Sequence, residues 1–258
     1  MKPSITFSVI LAGLFFVNSP ELEAQQPLHQ RIDAAVADQQ PVSTQLLASD
    51  SEFMRRLYLD LLGTVPTLEE AKQFLNDESE DRRAQLVERL INDPRLNHHL
   101  ATAFDVMLME RTSDSAIKSS VWRKYLYESF ANNKPYNVLA REILSAGGTD
   151  PDMRVAAKFY LDRTGETNRL TRDVGRIFLG RDMQCAQCHN HPNVDDYLQQ
   201  HYYGVAAFLQ RSYLFTDPSS KQVSIGDKIE GDVTYTSVFT GEDGETQPRI
   251  LELPEIQD

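Results

Sequence analysis

From Ser49 to Leu209 apolar positions recur at intervals of three and four, separated by short polar stretches rich in Pro, Gly, Asn and Asp. That period predicts a succession of amphipathic helices. Ser49-x-x-Glu52 has capping-box spacing and opens a stripe of Phe53, Met54, Leu57, Tyr58 and Leu61 that stops at Gly63. Thr67-x-x-Glu70 repeats the device after Pro66, ahead of Ala71, Phe74 and Leu75. Leu86, Val87, Leu90 and Ile91 mark a third helix, started among Ser79 to Asp81 and stopped before Pro94, and Leu96, Leu100, Phe104 and Leu108 mark a fourth. A fifth opens at Ser119 or Ser120 and carries Trp122, Tyr125, Leu126 and Phe130. A sixth follows Pro135 with Val138, Leu139, Ile143 and Leu144, and closes at Gly147-Gly148. Val155 to Leu161 is a short seventh apolar segment, and Leu170, Val174, Ile177 and Phe178 define an eighth helix ending near Gly180. Beyond Pro192, Asp195 and Asp196 are placed to cap a further helix bearing Tyr202, Tyr203, Ala206, Phe208 and Leu209.

After Thr216-Asp217-Pro218 the pattern changes to β-branched residues, short alternation and Gly-Asp turns, as in Val233 to Phe239 and Gly241 to Gly244. A small antiparallel element is expected over 217–258, packed on the helices or leading into further chain, because a lone hairpin buries too little surface to stand alone. The fold class is therefore mainly α: a multi-helix domain over 49–216 and a small β-rich C-terminal element. Residues 25–48, rich in Gln, Ala and Pro with weak periodicity from Leu28 to Val36, read as a flexible lead-in with room for a short helix. Before them, Met1-Lys2, an apolar run from Ile5 to Val17 and a polar stretch ending at Ala24 have the form of a secretory signal peptide cleaved after Ala24, with an uncleaved anchor as the alternative. The run is short for a membrane span and no other segment approaches that length. The mature chain is expected outside the cytoplasm, periplasmic or in the cell envelope, with no membrane span after cleavage.

Charge narrows the partners. The chain carries 26 Lys and Arg against 38 Asp and Glu, a net charge of −12, and no basic cluster with interleaved aromatics. Such a surface repels phosphate backbones, which argues against nucleic acid. Phosphate-loop, G-x-S-x-G and H-E-x-x-H patterns are absent, and no spacing singles out a catalytic pair among the carboxylates.

Both cysteines lie in Met183-Gln-Cys-Ala-Gln-Cys-His-Asn-His-Pro192. Cys185, Cys188 and His189 spell C-x-x-C-H, the attachment pattern of one c-type haem: two thiols add across the vinyl groups and the adjacent imidazole takes an axial iron position as proximal ligand. On a helical turn residues three and four apart share a face, so these three side chains can meet one porphyrin edge while Ala186 and Gln187 point away. Two cysteines and six histidines shuffled through this length would give the pentapeptide with a probability of about 2 × 10⁻⁴. The motif is expected in a loop joining the eighth helix to the next.

The same residues admit a zinc site, with His191 as a fourth ligand, or a plain or redox-active disulfide. Four zinc ligands within seven residues leave little slack for a tetrahedron. A thioredoxin-like oxidoreductase wants a strand before the motif, where the period here is helical. His191 lies two residues past His189, off the proximal face, and reads as a turn residue, a partner to the ligand or a ligand to another centre. A distal iron ligand would come from a remote segment; Met107, Met109, Met153 and His201 qualify by residue type, each having an ordinary core or surface role as its alternative. His98 and His99 point about 100° apart on a helix, so only one could face a site.

At Leu57-Tyr-Leu-Asp-Leu-Leu-Gly-Thr-Val-Pro66-Thr, and again from Arg172 through the motif to Pro192, the chain resembles the planctomycete cytochrome-like domain family of unknown function. The resemblance runs from about Ser49 to Phe215. It implies an exported, mostly helical domain holding haem c, with Cys185 and Cys188 as the thioether residues and His189 as the proximal ligand. Asn190 stands where the family usually has Asp, and Tyr197 falls near a common Trp. Longer members carry a second large domain that the resemblance over these residues does not cover, so no activity of that domain is carried over. The expected function is a monohaem c-type electron-transfer or redox module more than a stand-alone enzyme, serving an unidentified redox partner protein. The alternative is a helical interaction or substrate-docking domain with a structural Cys185–Cys188 disulfide or metal site.

Overall fold

The computed structural model describes residues 27–39, 48–110, 114–229 and 232–256; residues 1–24, read as a signal peptide, and residues 40–47 of the lead-in lie outside the described residues. The chain divides into two units, residues 1–48 and 49–258. In the first, α1 (Leu28–Gln39) forms over the weak period read in the lead-in.

The second unit begins with a small helical cluster. α2 (Asp50–Leu62), α3 (Leu68–Leu75) and α4 (Arg82–Ile91) close on Met54, Tyr58, Leu62, Phe74, Leu86 and Leu90, with Leu96 of α5 (Pro94–Met109) packed against them. The punctuation works locally. Thr67 and Glu70 form a complete capping box, each bonding the other's backbone N–H. Ser49 caps α2 through the Glu52 N–H, but Glu52 turns to Arg56 and leaves its box open. Pro94, read as a stop for α4, is also the first residue of α5, where its missing N–H costs nothing and Asp93 caps the Arg95 N–H at 2.9 Å.

Gly63 ends α2 in the left-handed region, φ +69°, with its N–H donating to the Leu59 carbonyl at 3.1 Å. A Cβ there would also lie 2.3 Å from Nδ1 of His99, so both backbone and space demand glycine. Gly63→Ala is expected to destabilise the unit by about 1–3 kcal/mol, from left-handed strain plus displacement of the His99 ring. Urea denaturation checks this, and a loss of a few tenths would show that the ring moves freely.

The main core is built from α5, α6 (Ser119–Ala131), α7 (Tyr136–Ser145), a 3₁₀ turn at Arg154–Ala157 running into α8 (Lys158–Leu161), α9 (Thr167–Phe178) and α10 (Gln199–Gln210). Leu108, Trp122, Leu126, Ile143, Phe159 and Tyr202 lie at its centre. Two cations are fully buried beside it. Lys158 Nζ donates to Asp162 one turn on, to the Ile117 carbonyl, and to Asp114 at 3.1 Å. The other Asp162 oxygen accepts the Ala116 N–H at 2.7 Å and the Ser115 hydroxyl at 3.0 Å. Arg163 lies over the Phe159 ring, pairs with Asp173 at 2.6 Å, and donates to the Leu108 carbonyl at 2.7 Å, joining the end of α5 to α9.

Two separate antiparallel ribbons complete the unit: β1 (Ser212–Thr216) with β2 (Val223–Asp227), and β3 (Val233–Thr236) with β4 (Asp243–Thr246). β1 begins inside the span read as helical. Tyr213 and Phe215 alternate, and Thr216-Asp217-Pro218 is the turn of the first ribbon, with Asp217 accepting the Ser219 and Ser220 N–H groups. Both ribbons lean on helices, β1, β3 and β4 on α10 and β2 on α8. The described chain is thus mainly helical with a small C-terminal antiparallel part, and none of its described helices is long and apolar enough to cross a membrane.

Candidate functional site

Two residues past the end of α9, Gly180 has a φ of +67° that turns the chain so that the Arg181 N–H reaches back to the Gly175 carbonyl at 2.9 Å. Met183 and Ala186 then plug into the main core, Ala186 from within a single 3₁₀ turn, Cys185–Gln187, that precedes α10. In a 3₁₀ turn residues i and i+3 eclipse. Cys185 and Cys188 therefore share a side, opposite the buried Ala186, and both are exposed free thiols.

This loop is held from three directions. Tyr203 of α10 donates its hydroxyl to the Gln187 carbonyl at 2.9 Å, and the Val238 N–H, in the connection between β3 and β4, donates to the Cys188 carbonyl at 3.1 Å. The buried Gln199 amide reaches the carbonyls of Gln187 and Thr236, each at 3.4 Å. From the loop side, Asn190 Oδ1 accepts the Gln199 N–H at 2.8 Å and so caps the first turn of α10. This corrects the expectation for Asp195 and Asp196: neither side chain caps α10, whose N-cap position is Leu198. Asp196 contributes its backbone carbonyl, to His201 at 2.9 Å and to Arg181 at 3.3 Å.

Asn190→Ala is expected to cost about 0.5–2 kcal/mol, as loss of a helix cap does, and to speed amide exchange at Gln199. Asn190→Asp keeps an acceptor and adds charge at a helix N-terminus, so it should preserve the protection. Equal exchange in both variants would remove the cap from the account.

The two motif histidines are in opposite states. His189 Nδ1 lies 2.6 Å from the Asn190 carbonyl, which can only accept, so Nδ1 carries the proton and Nε2 the lone pair. His191 Nδ1 instead accepts the Asn193 N–H at 3.2 Å, which puts the proton of its neutral ring on Nε2, and its ring meets Tyr197 edge-on. The Phe239 ring packs at 4.4 Å on His189. A cavity of about 390 Å³ opens beside His189, walled by Leu198, Gln199, Tyr235, Phe239 and Asp243. Tyr235 stacks on Tyr203 at 4.6 Å, and burial raises the pKa of both phenols.

The remote candidates are placed elsewhere. Met109 is in the main core with its sulfur 3.9 Å from Arg163 Nη1; Met107 is exposed on α5; Met153 packs on the small apolar cluster that includes Ile117 and Ala146. His201 is buried and donates Nδ1–H to the Asp196 carbonyl, and burial lowers its pKa. No hydrogen bond or ring contact among the described residues joins these four to Cys185, Cys188 or His189. Nor do three or more His, Cys, Asp or Glu side chains form a metal-holding group among them, so the four-ligand zinc set is not assembled. His98 packs tilted on the Tyr127 ring at 4.4 Å, and the His99 ring fills the space where a Cβ on Gly63 would lie, both in the helical scaffold.

Sequence reasoning missed Asn190, Gln199 and the β3–β4 connection as parts of this site. Only Asn190 carried a local signal, as a polar residue shortly before a helix. One regional signal was legible: Asp182 to Gln200 and Asp232 to Gln247 contain no Lys or Arg, while Asp182, Asp195, Asp196, Asp232, Glu242, Asp243 and Glu245 ring the loop in sequence. Residues 28–213 match a family described as PSCyt2, protein of unknown function (DUF1549). Comparison with curated proteins and with solved structures gave no match.

Proposed function

The chain belongs to the DUF1549 family, and within it we propose that this member is an exported monohaem c-type, cytochrome-like module for electron transfer. One observation carries the reading. The histidine that C-x-x-C-H designates as ligand is the one whose Nδ1 proton is taken by a carbonyl, leaving Nε2 to bind iron, whereas His191 spends its Nδ1 lone pair on a backbone N–H. The donor set fits haem c: two exposed thiols on one side of a turn, next to an imidazole of the required tautomer.

When bound, haem c supplies a reversible one-electron iron couple. Cys185 and Cys188 would hold the porphyrin edge by thioether bonds. The Asn190 carbonyl orients the His189 ring and fixes its tautomer through the Nδ1–H bond. Asn190 and Gln199 brace the loop against α10, and Tyr235 and Phe239 lower the polarity of the ground beside it. The acidic surroundings favour a redox partner protein with a basic contact face, with association slowing as salt rises.

The test is to produce the mature chain with a haem-maturation system and record a pyridine haemochrome spectrum and an intact mass. A c-type spectrum with the mass of one covalent haem is expected. A colourless product with free or disulfide-linked cysteines would overturn the proposal in favour of a helical docking domain.

A further inference from the structure

An open groove of about 710 Å³ lies away from the C-x-x-C-H loop. One wall is the loop from Ser115 to Lys118 with the start of α6; the other is the β1–β2 ribbon; the 3₁₀ turn at Arg154–Ala157 contributes Arg154 and Val155. Ile117, Val121, Val155, Leu161, Leu214 and Val223 supply the apolar lining, which is aliphatic throughout with no aromatic ring. In a chain of net charge −12, the only charged residues lining it among the described residues are the cations Lys118 and Arg154.

Arg154 is half-buried, and Nη1 donates to the Gly148 carbonyl at 2.6 Å and contacts Ser224 Oγ at 3.5 Å. Those bonds hold the guanidinium in place and use one of its three nitrogens. No carboxylate among the described residues pairs with it: Asp217 acts on it from longer range and spends its own oxygen on the Ser219 and Ser220 N–H groups.

Both walls are pinned by buried polar bonds. Lys158 and Asp162, each with a fully buried side chain, hold the Ile117 carbonyl, the Ala116 N–H and the Ser115 hydroxyl. On the other side the Ile225 N–H donates to the Gly147 carbonyl at 2.7 Å, and the buried Ser224 hydroxyl bonds the Gly148 carbonyl at 3.3 Å. Buried ions are costly to assemble, and here they fix the rim of a groove that the electron-transfer reading does not use. A groove held in shape before a ligand arrives loses less ordering entropy on binding.

We propose that this groove is a second site, which binds a small aliphatic carboxylate with its chain against Ile117, Val121, Leu214 and Val223 and its head on Arg154. The aliphatic lining sets the body of the ligand and the cations set the sign of its head. A peptide is disfavoured because its main chain would bring N–H and C=O groups against a wall that is mostly apolar.

The probe is decanoate, titrated into the mature full chain by calorimetry and followed by amide NMR. Saturable one-site binding is expected, with shifts confined to residues 115–121, 154–155, 214 and 222–223. Arg154→Gln should weaken it about tenfold or more, the scale of a lost charge-assisted hydrogen bond. Val121→Asp puts a carboxylate at an exposed wall position and should abolish binding with an unchanged thermal transition. Decanol or decyltrimethylammonium binding as tightly as decanoate would overturn the charge assignment. Shifts elsewhere would overturn the site, and binding of a short peptide with a free C-terminal carboxylate in place of decanoate would overturn the ligand class.

Discussion

Lys158→Met is expected to lower the stability of the folded unit by about 3–5 kcal/mol, because it strands the fully buried Asp162 carboxylate without its countercharge. At roughly 2–4 °C per kcal/mol for a unit of this size, the melting temperature should fall by about 6–20 °C. The sign of the effect comes from asymmetry: a buried pair adds little relative to apolar replacements, but half a pair is costly. Adding Asp162→Asn removes the stranded charge while keeping an oxygen for the Ala116 N–H and the Ser115 hydroxyl, so the double variant should recover much of the loss. Urea denaturation of the wild type, both single variants and the double variant forms the cycle that measures this. A single-variant cost below about 1 kcal/mol, or no recovery in the double variant, would show that Asp162 is served well enough by its backbone and hydroxyl donors.

The second large effect is all or none. Cys185→Ser with Cys188→Ser, produced with a haem-maturation system, is expected to abolish covalent colour while leaving the thermal transition nearly unmoved. Both thiols are exposed, and the loop is anchored by Met183, Ala186, Tyr203 and Gln199 instead. Exposed substitutions of this kind usually stay within about 0.5 kcal/mol. The docking-domain alternative makes the opposite forecast: no colour in either protein, and a drop in melting temperature when a structural disulfide is removed. Comparing the two apo proteins under oxidising conditions separates these outcomes without a redox assay. His189→Ala should keep the thioether attachment and change the spectrum of the bound iron.

What could be read from the sequence was what is decided within a few residues. The stripes that became α2 through α7, the reciprocal Thr67–Glu70 cap and the stop at Gly63 each depend on neighbours three or four positions away, and their chemistry is written in place. Lys158 and Asp162 were legible as a helical i, i+4 pair but not as a buried one, since burial is decided by Ile117 and Asp114, far back in the chain. Asp195 and Asp196 show the opposite failure. Their residue type and position suit a cap, yet Asn190 reaches the Gln199 N–H first, because the 3₁₀ turn folds the loop back onto α10. Tyr213 and Phe215 stand so close to the end of α10 that apolar content alone could not separate strand from helix.

At the site, the motif named its thiols and its imidazole, but nothing in the motif selects His189 over His191 by protonation. That choice depends on which backbone group each ring meets, an Asn190 carbonyl or an Asn193 N–H. Phe239 is further out of reach of any local rule, since it comes to His189 only through the pairing of β3 with β4.

The Val238 bond to the Cys188 carbonyl and the Phe239 ring on His189 also fix an order of events. The segment that packs on the loop follows it in the chain, so a ribosome makes the motif before Phe239 can lie on His189. On the proposed reading, the His189 ring is thus open to haem before the last ribbon docks and partly covered by Phe239 afterwards, while both thiols stay exposed. A chain already fully folded should be a slower substrate for haem attachment than a nascent one.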